Sequence, residues 1–453
     1  MKYKIVCSLL FLFLLSCHGS THKDQMNPLH SQDLFGVDLS LSPDDDTFPR
    51  WDHELIIQRI SEMNIAWTRE TVMQSGIEYP RGVYHWENYD EVVTLWQKYN
   101  IHLLVTIFGS SNFISPTINN KDFTGEDDEN TTAIRNPGYK LVPRKGDYGN
   151  ASSTLEDWGK FVQEVVERYD GDGYKDMPGL KYPVKYWEGW NEPNYWSPKG
   201  GFWNKKWPDE YESADLNFLI KLQKIFYESV KKADPEAVVV GPSLLTRSSY
   251  KIDHRKEFYC HPDVYDYFDI VNYHRNHRYS WVNWDSSTQC VNEKPVWVTE
   301  FNRHIKENET DHENNVALIK LFIEGGYLTK TRIMRVYHYF QQAENNMYID
   351  VTKPGFPLKE LGVFVKTLLS KLNNSTPLNC VVTDDYRQFS FSRENNTIYT
   401  IWACAENVNV QLPVASDNIK VTSLDGEEKI IKSEQGACVV KATKEPMYIE
   451  ELD

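Results

Sequence analysis

The stretch Val184-Lys185-Tyr186-Trp187-Glu188-Gly189-Trp190-Asn191-Glu192-Pro193-Asn194 decides the fold. It opens as a short apolar β run and ends on a charged turn. A carboxylate at the end of an otherwise apolar strand is costly inside a core, and the C-terminal mouth of a (β/α)8 barrel is where such a group stays useful. A second stretch has the same design: Val296-Trp297-Val298-Thr299-Glu300-Phe301-Asn302. Working outward, apolar runs recur at Leu34 to Leu39, Ala66 to Arg69, His102 to Phe108, Ala237 to Val240, Phe268 to Tyr273 and Ile333 to Phe340, so the quoted stretches become strands four and seven of eight.

Between the strands the apolar period changes to 3.6. Ile56, Ile60 and Met63 form one stripe, Trp158, Val162, Val165 and Tyr169 another, and Leu219, Leu222, Phe226 and Val230 a third. Thr154 with Asp157 reads as a capping pair, and Asp234-Pro235 as a helix stop. Gly325-Gly326 reads as the end of a helix striped by Val316, Ile319 and Ile323. A last helix carrying Leu358, Leu361, Val365, Leu368 and Leu372 takes the barrel to residue 373. Asn373 to Pro377 reads as a linker. Beyond it only short strands follow, such as Thr397 to Ala403 and Ile419 to Leu424, with Asp425-Gly426 as a hairpin signal. The expected architecture is therefore a (β/α)8 TIM barrel over 33–373 and a small C-terminal antiparallel β-sandwich over 378–453.

The N-terminus reads as an address. Lys2 and Lys4 precede an apolar run from Ile5 to Leu15, too short for a membrane span but suited to a signal peptide over 1–17. The run ends Leu14-Leu15-Ser16-Cys17, which resembles a bacterial lipobox and implies acylation of Cys17. Ordinary secretory cleavage near Gly19-Ser20 is the alternative. Both imply export, with a polar linker over 18–32 and membrane attachment only through a lipid anchor. Of the later cysteines, Cys260, Cys290, Cys380, Cys404 and Cys438 are odd in number, so at least one is free or paired between chains. Cys260 with Cys290 is one bridge the sequence allows without establishing it. No CxxC spacing suggests zinc.

Acidic residues outnumber basic ones, 65 to 49, for a net charge of −16, which leaves nothing to grip a phosphate backbone; nucleic acid is excluded as a partner. The chain also carries 14 Trp, 27 Tyr and 20 Phe. Flat apolar rings are what sugars stack on, although a packed core explains rings equally well. Breaking a glycosidic bond needs one carboxylic acid to protonate the leaving oxygen and one carboxylate to meet the oxocarbenium-like carbon. Glu192 and Glu300 can supply both.

At these residues the sequence resembles the clan A glycoside hydrolases, and within them family 39, which holds β-xylosidases and α-L-iduronidases. The likeness rests on Trp190-Asn191-Glu192-Pro193-Asn194 and Thr299-Glu300-Phe301-Asn302, and on the order of elements over about residues 33 to 372. It implies a retaining hydrolase with Glu192 as acid/base and Glu300 as nucleophile. It also implies that Asn191 bonds the sugar 2-hydroxyl and that Arg69 holds the nucleophile ionised. Two departures stand out. The family's sixth strand ends His-x-Tyr, where this chain has His274-Arg275-Asn276, so a tyrosine orienting the nucleophile must come from Tyr273 or Tyr279 or be absent. The His often found two places after the strand-two Arg is Thr71.

The substrate expected is an oligo- or polysaccharide, with neutral sugars favoured because no basic cluster can be placed at the cleft. His274 is expected to touch the sugar, and Trp196 and Tyr339 to stack on it. The long segment from Gly109 to Asn150 is expected to wall the cleft. No cofactor is called for, and His274 with His277 lack metal-ligand helical spacing. Mutual repulsion should raise the pKa of Glu192 and keep it protonated as the acid. Two other readings remain at this point: a catalytically silent carbohydrate-binding lipoprotein on the same scaffold, and a transglycosylase.

Overall fold

A computed structural model gives the fold. It describes residues 35–41, 50–78, 82–108, 151–193, 213–246, 254–276, 294–302, 309–328, 333–340, 347–394, 396–434 and 436–452.

The barrel strands are β1 (Phe35–Asp38), β2 (Trp67–Met73), β3 (His102–Phe108), β4 (Tyr186–Gly189), β5 (Val238–Val240), β6 (Leu244–Thr246), β7 (Val271–Asn276), β8 (Val296–Asn302) and β9 (Ile333–Tyr339). They form one parallel sheet in the order β5-β4-β3-β2-β1-β9-β8-β7-β6. Nine segments fill eight positions because β5 and β6 are two halves of the fifth strand. Asn191 bridges Ser243 on one side and Val240 bridges Ile270 on the other, which closes the ring. Gly241-Pro242-Ser243 interrupts that strand because proline has no N–H to give to the ladder. The Tyr259 hydroxyl takes over locally, donating to the Pro242 carbonyl at 2.6 Å and accepting the Asn272 N–H at 3.1 Å.

Outside the ring lie α1 (Arg50–Glu62), α2 (Gln74–Ile77), α3 (Glu87–Lys98), α4 (Ala151–Tyr169), α5 (Ser213–Ala233), α6 (His254–Tyr259), α7 (Asp311–Leu328) and α8 (Glu360–Leu372). The stripes expected on α1, α4 and α5 are buried in one continuous core. Asn64 and Asn100, both at left-handed φ near 60°, follow α1 and α3, a conformation asparagine tolerates. Two helix ends differ from expectation. Helix α4 begins at Ala151, ahead of the Thr154–Asp157 pair. Helix α7 runs through Gly325-Gly326 to Leu328. Each helical glycine costs about 1 kcal/mol relative to alanine, but continuing the helix sets the Tyr327 ring 5.2 Å from Phe389, so packing overrides propensity. No described helix is long and apolar enough to cross a membrane.

After α8 the chain enters a six-stranded antiparallel sheet, in which β10 (Thr376–Val382), β11 (Tyr386–Arg393), β12 (Asn396–Ala403), β17 (Met447–Leu452), β14 (Asn418–Thr422) and β15 (Glu428–Lys432) lie side by side. A two-stranded layer, β13 (Val408–Pro413) with β16 (Ala437–Ala442), shares an apolar core with it through Leu412, Cys438, Ile401 and Ile449. Strand β10 starts at Thr376, inside the stretch that reads as linker. Asp425-Gly426 sits in the β14–β15 turn, Gly426 at φ 91°. Phe389, Phe391 and Trp402 belong to the barrel's core cluster, and Lys371 of α8 pairs with Glu450 at 2.7 Å. Cys260 is disulfide-bonded, while Cys380, Cys404 and Cys438 are free thiols; Cys290 and Cys17 lie outside the described residues.

Candidate active site

The barrel interior is filled in layers. The lowest is aromatic: Tyr186 stacks on Trp297 at 5.0 Å, Trp67 meets Tyr186 edge-on at 5.4 Å, and Tyr337 lies 6.0 Å from Trp297. Gly36 is required beside them, because a Cβ there would stand 2.7 Å from the Tyr337 ring. These rings close the barrel from below, so polar groups above them face the mouth.

The next layer is ionic and centres on Arg69. Strand alternation points Asp38, Arg69 and Glu188 inward, and all three are buried. Arg69 donates from Nε to Glu188 Oε2 at 3.0 Å and from Nη2 to Glu188 Oε1 at 2.6 Å, a bidentate fork. It also donates to Asp38 Oδ1 at 3.1 Å and to Asn191 Oδ1 at 2.7 Å. Burial alone would lower the Arg69 pKa, but Glu188 and Asp38 outweigh it and hold the guanidinium charged. Arg69 makes no hydrogen bond to Glu300; it acts on that carboxylate only as a lesser through-space charge. The help expected of Arg69 in keeping Glu300 ionised therefore comes through space, because Glu188 and Asp38 beneath the mouth take its hydrogen bonds.

Two backbone irregularities aim the glutamates. After β4, Trp190 and Glu192 adopt left-handed φ values of 71° and 43°. Non-glycine residues there cost about 1–3 kcal/mol each and persist only where neighbours hold them. Ser243, wholly buried, does so: its N–H donates to the Trp190 carbonyl at 3.2 Å and its Oγ accepts the Glu192 N–H at 3.3 Å. Glu300 is aimed by a β-bulge. Asn272 pairs with Trp297 and His274 with Glu300, so β8 spends three residues where β7 spends two. In a regular strand Trp297 and Glu300, three apart, would face opposite sides. The extra residue lets both face inward, while Val298 and Phe301 both stay in the outer core.

His274 sits between the two carboxylates. Its Nδ1 lies 2.8 Å from Glu192 Oε1 and 3.3 Å from Glu300 Oε2, and one oxygen of each glutamate and the ring nitrogen all fall within 4.8 Å of one another. Burial opposes protonation of His274, yet Glu300 and Glu192 together lift its pKa above the usual value, favouring an imidazolium. For Glu300, burial pushes the carboxyl up to about 7; Asp38 and Glu192 add to the rise, and His274 and Arg69 oppose it. Among the described residues this three-atom cluster is one of two donor sets close enough together to hold a metal ion.

Glu192, Glu300, Asn191, Arg69 and His274 are therefore brought together, with Asn191 clamped through its Oδ1 so that its NH2 remains the end able to meet a ligand. Tyr273 is not among them. Its ring is wholly buried in the outer core under the Arg255 guanidinium, 5.1 Å away, because neighbours of an inward residue on a strand face outward. Trp196, Tyr279 and the segment 109–150 lie outside the described residues, as does the side chain of Tyr339. Glu188, Asp38 and Ser243 belong to the site without having been singled out from sequence. The one signal available was Glu188, an acid two places into an apolar strand.

No family model matches the sequence, and no curated protein matches it. Solved structures share the fold. A family 39 glycoside hydrolase from Bacteroides cellulosilyticus superimposes with a TM-score of 0.59 at 16% identity, covering 93% of this chain and 81% of that one. A family 39 β-xylosidase from Caulobacter crescentus gives 0.58 at 14%, covering 93% and 96%. A family 30 xylanase from Clostridium acetobutylicum gives 0.56 at 12%, covering 92% and 96%.

Proposed function

We propose that this chain is a retaining glycoside hydrolase that cleaves O-glycosidic bonds in oligo- or polysaccharides by double displacement. One observation carries the reading: two glutamates at a barrel mouth with an oxygen of each within 4.8 Å of the other, the close approach of a retaining pair, whose carboxyl groups stand ~5–5.5 Å apart. In the first step Glu192 gives its proton to the glycosidic oxygen as a Glu300 oxygen bonds the anomeric carbon, and the protonated aglycone leaves. In the second, Glu192 takes a proton from water, whose oxygen bonds the same carbon and releases Glu300. His274 Nδ1 lies 2.8 Å from Glu192 Oε1, which places the imidazole to hold and orient the carboxyl of the acid. Two of the proteins sharing the fold are named β-xylosidase and xylanase, which makes neutral pentosides the first substrates to try. Export, and anchoring through an acylated Cys17, complete the proposal.

The test is a screen of aryl glycosides and oligosaccharides, followed by proton NMR of the first-formed anomer. Retention is expected; inversion would sink the two-step scheme. Glu192→Gln is the control, and it should slow substrates with poor leaving groups far more than activated aryl glycosides. Ser243→Ala provides a separate check on the strained turn. Losing the acceptor of the Glu192 N–H should cost about 1 kcal/mol of stability and about tenfold to a hundredfold in kcat through misplacement of the acid. An unchanged kcat would show that the turn holds without it.

A further inference from the structure

We propose that the opposite end of the barrel holds a calcium ion on Glu167, Asp170 and Asp172. These residues lie in Glu167-Arg168-Tyr169-Asp170-Gly171-Asp172-Gly173-Tyr174-Lys175-Asp176, which ends α4 and leads toward β4. The loop therefore sits at the N-terminal end of the strand whose C-terminal end carries Glu192. One carboxylate oxygen from each of the three lies within 4.8 Å of the others.

Acidic surface clusters are common and usually only solvated. Asp170 sets this one apart. It is 2% exposed, and its Oδ2 is shut off from solvent with no hydrogen-bond donor, while Oδ1 accepts only the Asp172 N–H at 3.2 Å. A buried carboxylate oxygen left in that state is expensive. Nearby cations are engaged elsewhere: Lys175 with Glu164 at 3.0 Å, Arg168 with Asp90, and Lys185 with Asp234 at 2.6 Å.

The donors are all oxygens, which selects a hard cation over zinc or copper. Calcium fits better than magnesium, because it accepts irregular coordination and completes its shell with waters and carbonyls. Asp176 contributes differently. Its carboxylate accepts the Gly171 and Gly173 N–H groups at 2.9 and 2.6 Å and shapes the loop, whose glycines take φ of 75° and 100°. The ion would act on stability rather than on the reacting atoms, which lie at the other end of the barrel.

The experiment uses the full chain freed of metal by chelator, titrated with calcium chloride by calorimetry and by thermal unfolding. One saturable event is expected, with an unfolding midpoint raised by about 3 °C at a hundredfold excess over Kd. Asp170→Asn should abolish both responses. Asp172→Asn, exposed and still able to accept the Tyr174 N–H through its amide oxygen, should weaken affinity at least tenfold and decides the matter if the Asp170 variant does not fold. No heat and no shift in the wild type would overturn the proposal. So would a wild-type response in Asp172→Asn, or a response lost in Glu300→Gln, which would move the ion to the mouth.

Discussion

Glu300→Ala is expected to lower kcat by more than about 10^4-fold while leaving sugar binding measurable, since removal of a nucleophile eliminates the covalent route and not the pocket. Azide should restore turnover by entering the vacated space, and the product should then be a glycosyl azide of inverted configuration, because the anion attacks from the face Glu300 occupied. Unchanged turnover in the variant would remove Glu300 from the mechanism. Sugar binding without turnover in the wild type would favour the silent binding protein. The raised pKa of Glu300 adds a pH signature. The free enzyme must have Glu300 ionised to attack, so the acid limb of kcat/KM should fall near pH 7 rather than near the ~4.3 of an ordinary glutamate. The same shift bears on stability with a definite sign. A carboxyl whose folded pKa lies above its unfolded value stabilises the fold below the unfolded value, and that contribution is lost as pH rises through about 7. Glu300→Gln should therefore raise the unfolding midpoint at pH 8 more than at pH 5.

The two glutamates were legible in the sequence because a charge at the end of an apolar run is locally conspicuous. So were the strand positions, since His102 to Phe108 and Val296 to Asn302 carry enough β-branched and aromatic residues to be read alone. What was not legible depends on register. The bulge that turns Glu300 inward exists only in the pairing of β7 with β8, and no property of Val296 to Asn302 by itself announces it. Tyr273 was misplaced for the same reason. Its closeness to His274 in sequence is what sends it to the other face. Gly325-Gly326 failed as a helix stop because the ring that keeps the helix going, Phe389, comes from the second domain. Arg69 was visible as a candidate, but Asp38 and Glu188 reach it from strands one and four, contacts that one sequence cannot reveal.

That network leads to the largest stability effect expected of any single change. Arg69→Leu leaves Glu188 and Asp38 buried without the guanidinium that pairs them, and breaking a buried pair from one side costs about 3–5 kcal/mol, a large share of the ~5–15 kcal/mol that holds a domain folded. Urea unfolding at pH 8 should show it directly. Arg69→Lys should recover little, because an ammonium cannot make the fork to Glu188 at 3.0 and 2.6 Å and still reach Asn191. The deficit should shrink at pH 5. Burial already raises the Asp38 carboxyl and Arg69 opposes that rise, so without the guanidinium it climbs further and its penalty is relieved as pH falls and it protonates. Arg69→Leu combined with Glu188→Leu should regain more than half of the loss, since the pair is then replaced by apolar groups rather than broken. A loss below about 1 kcal/mol in the single variant would mean that water reaches the layer and the charges are not buried. Activity gives an independent readout. Asn191 loses the donor that fixes its amide, so kcat in the double variant should stay depressed even where stability returns, separating the network's hold on the fold from its hold on the site.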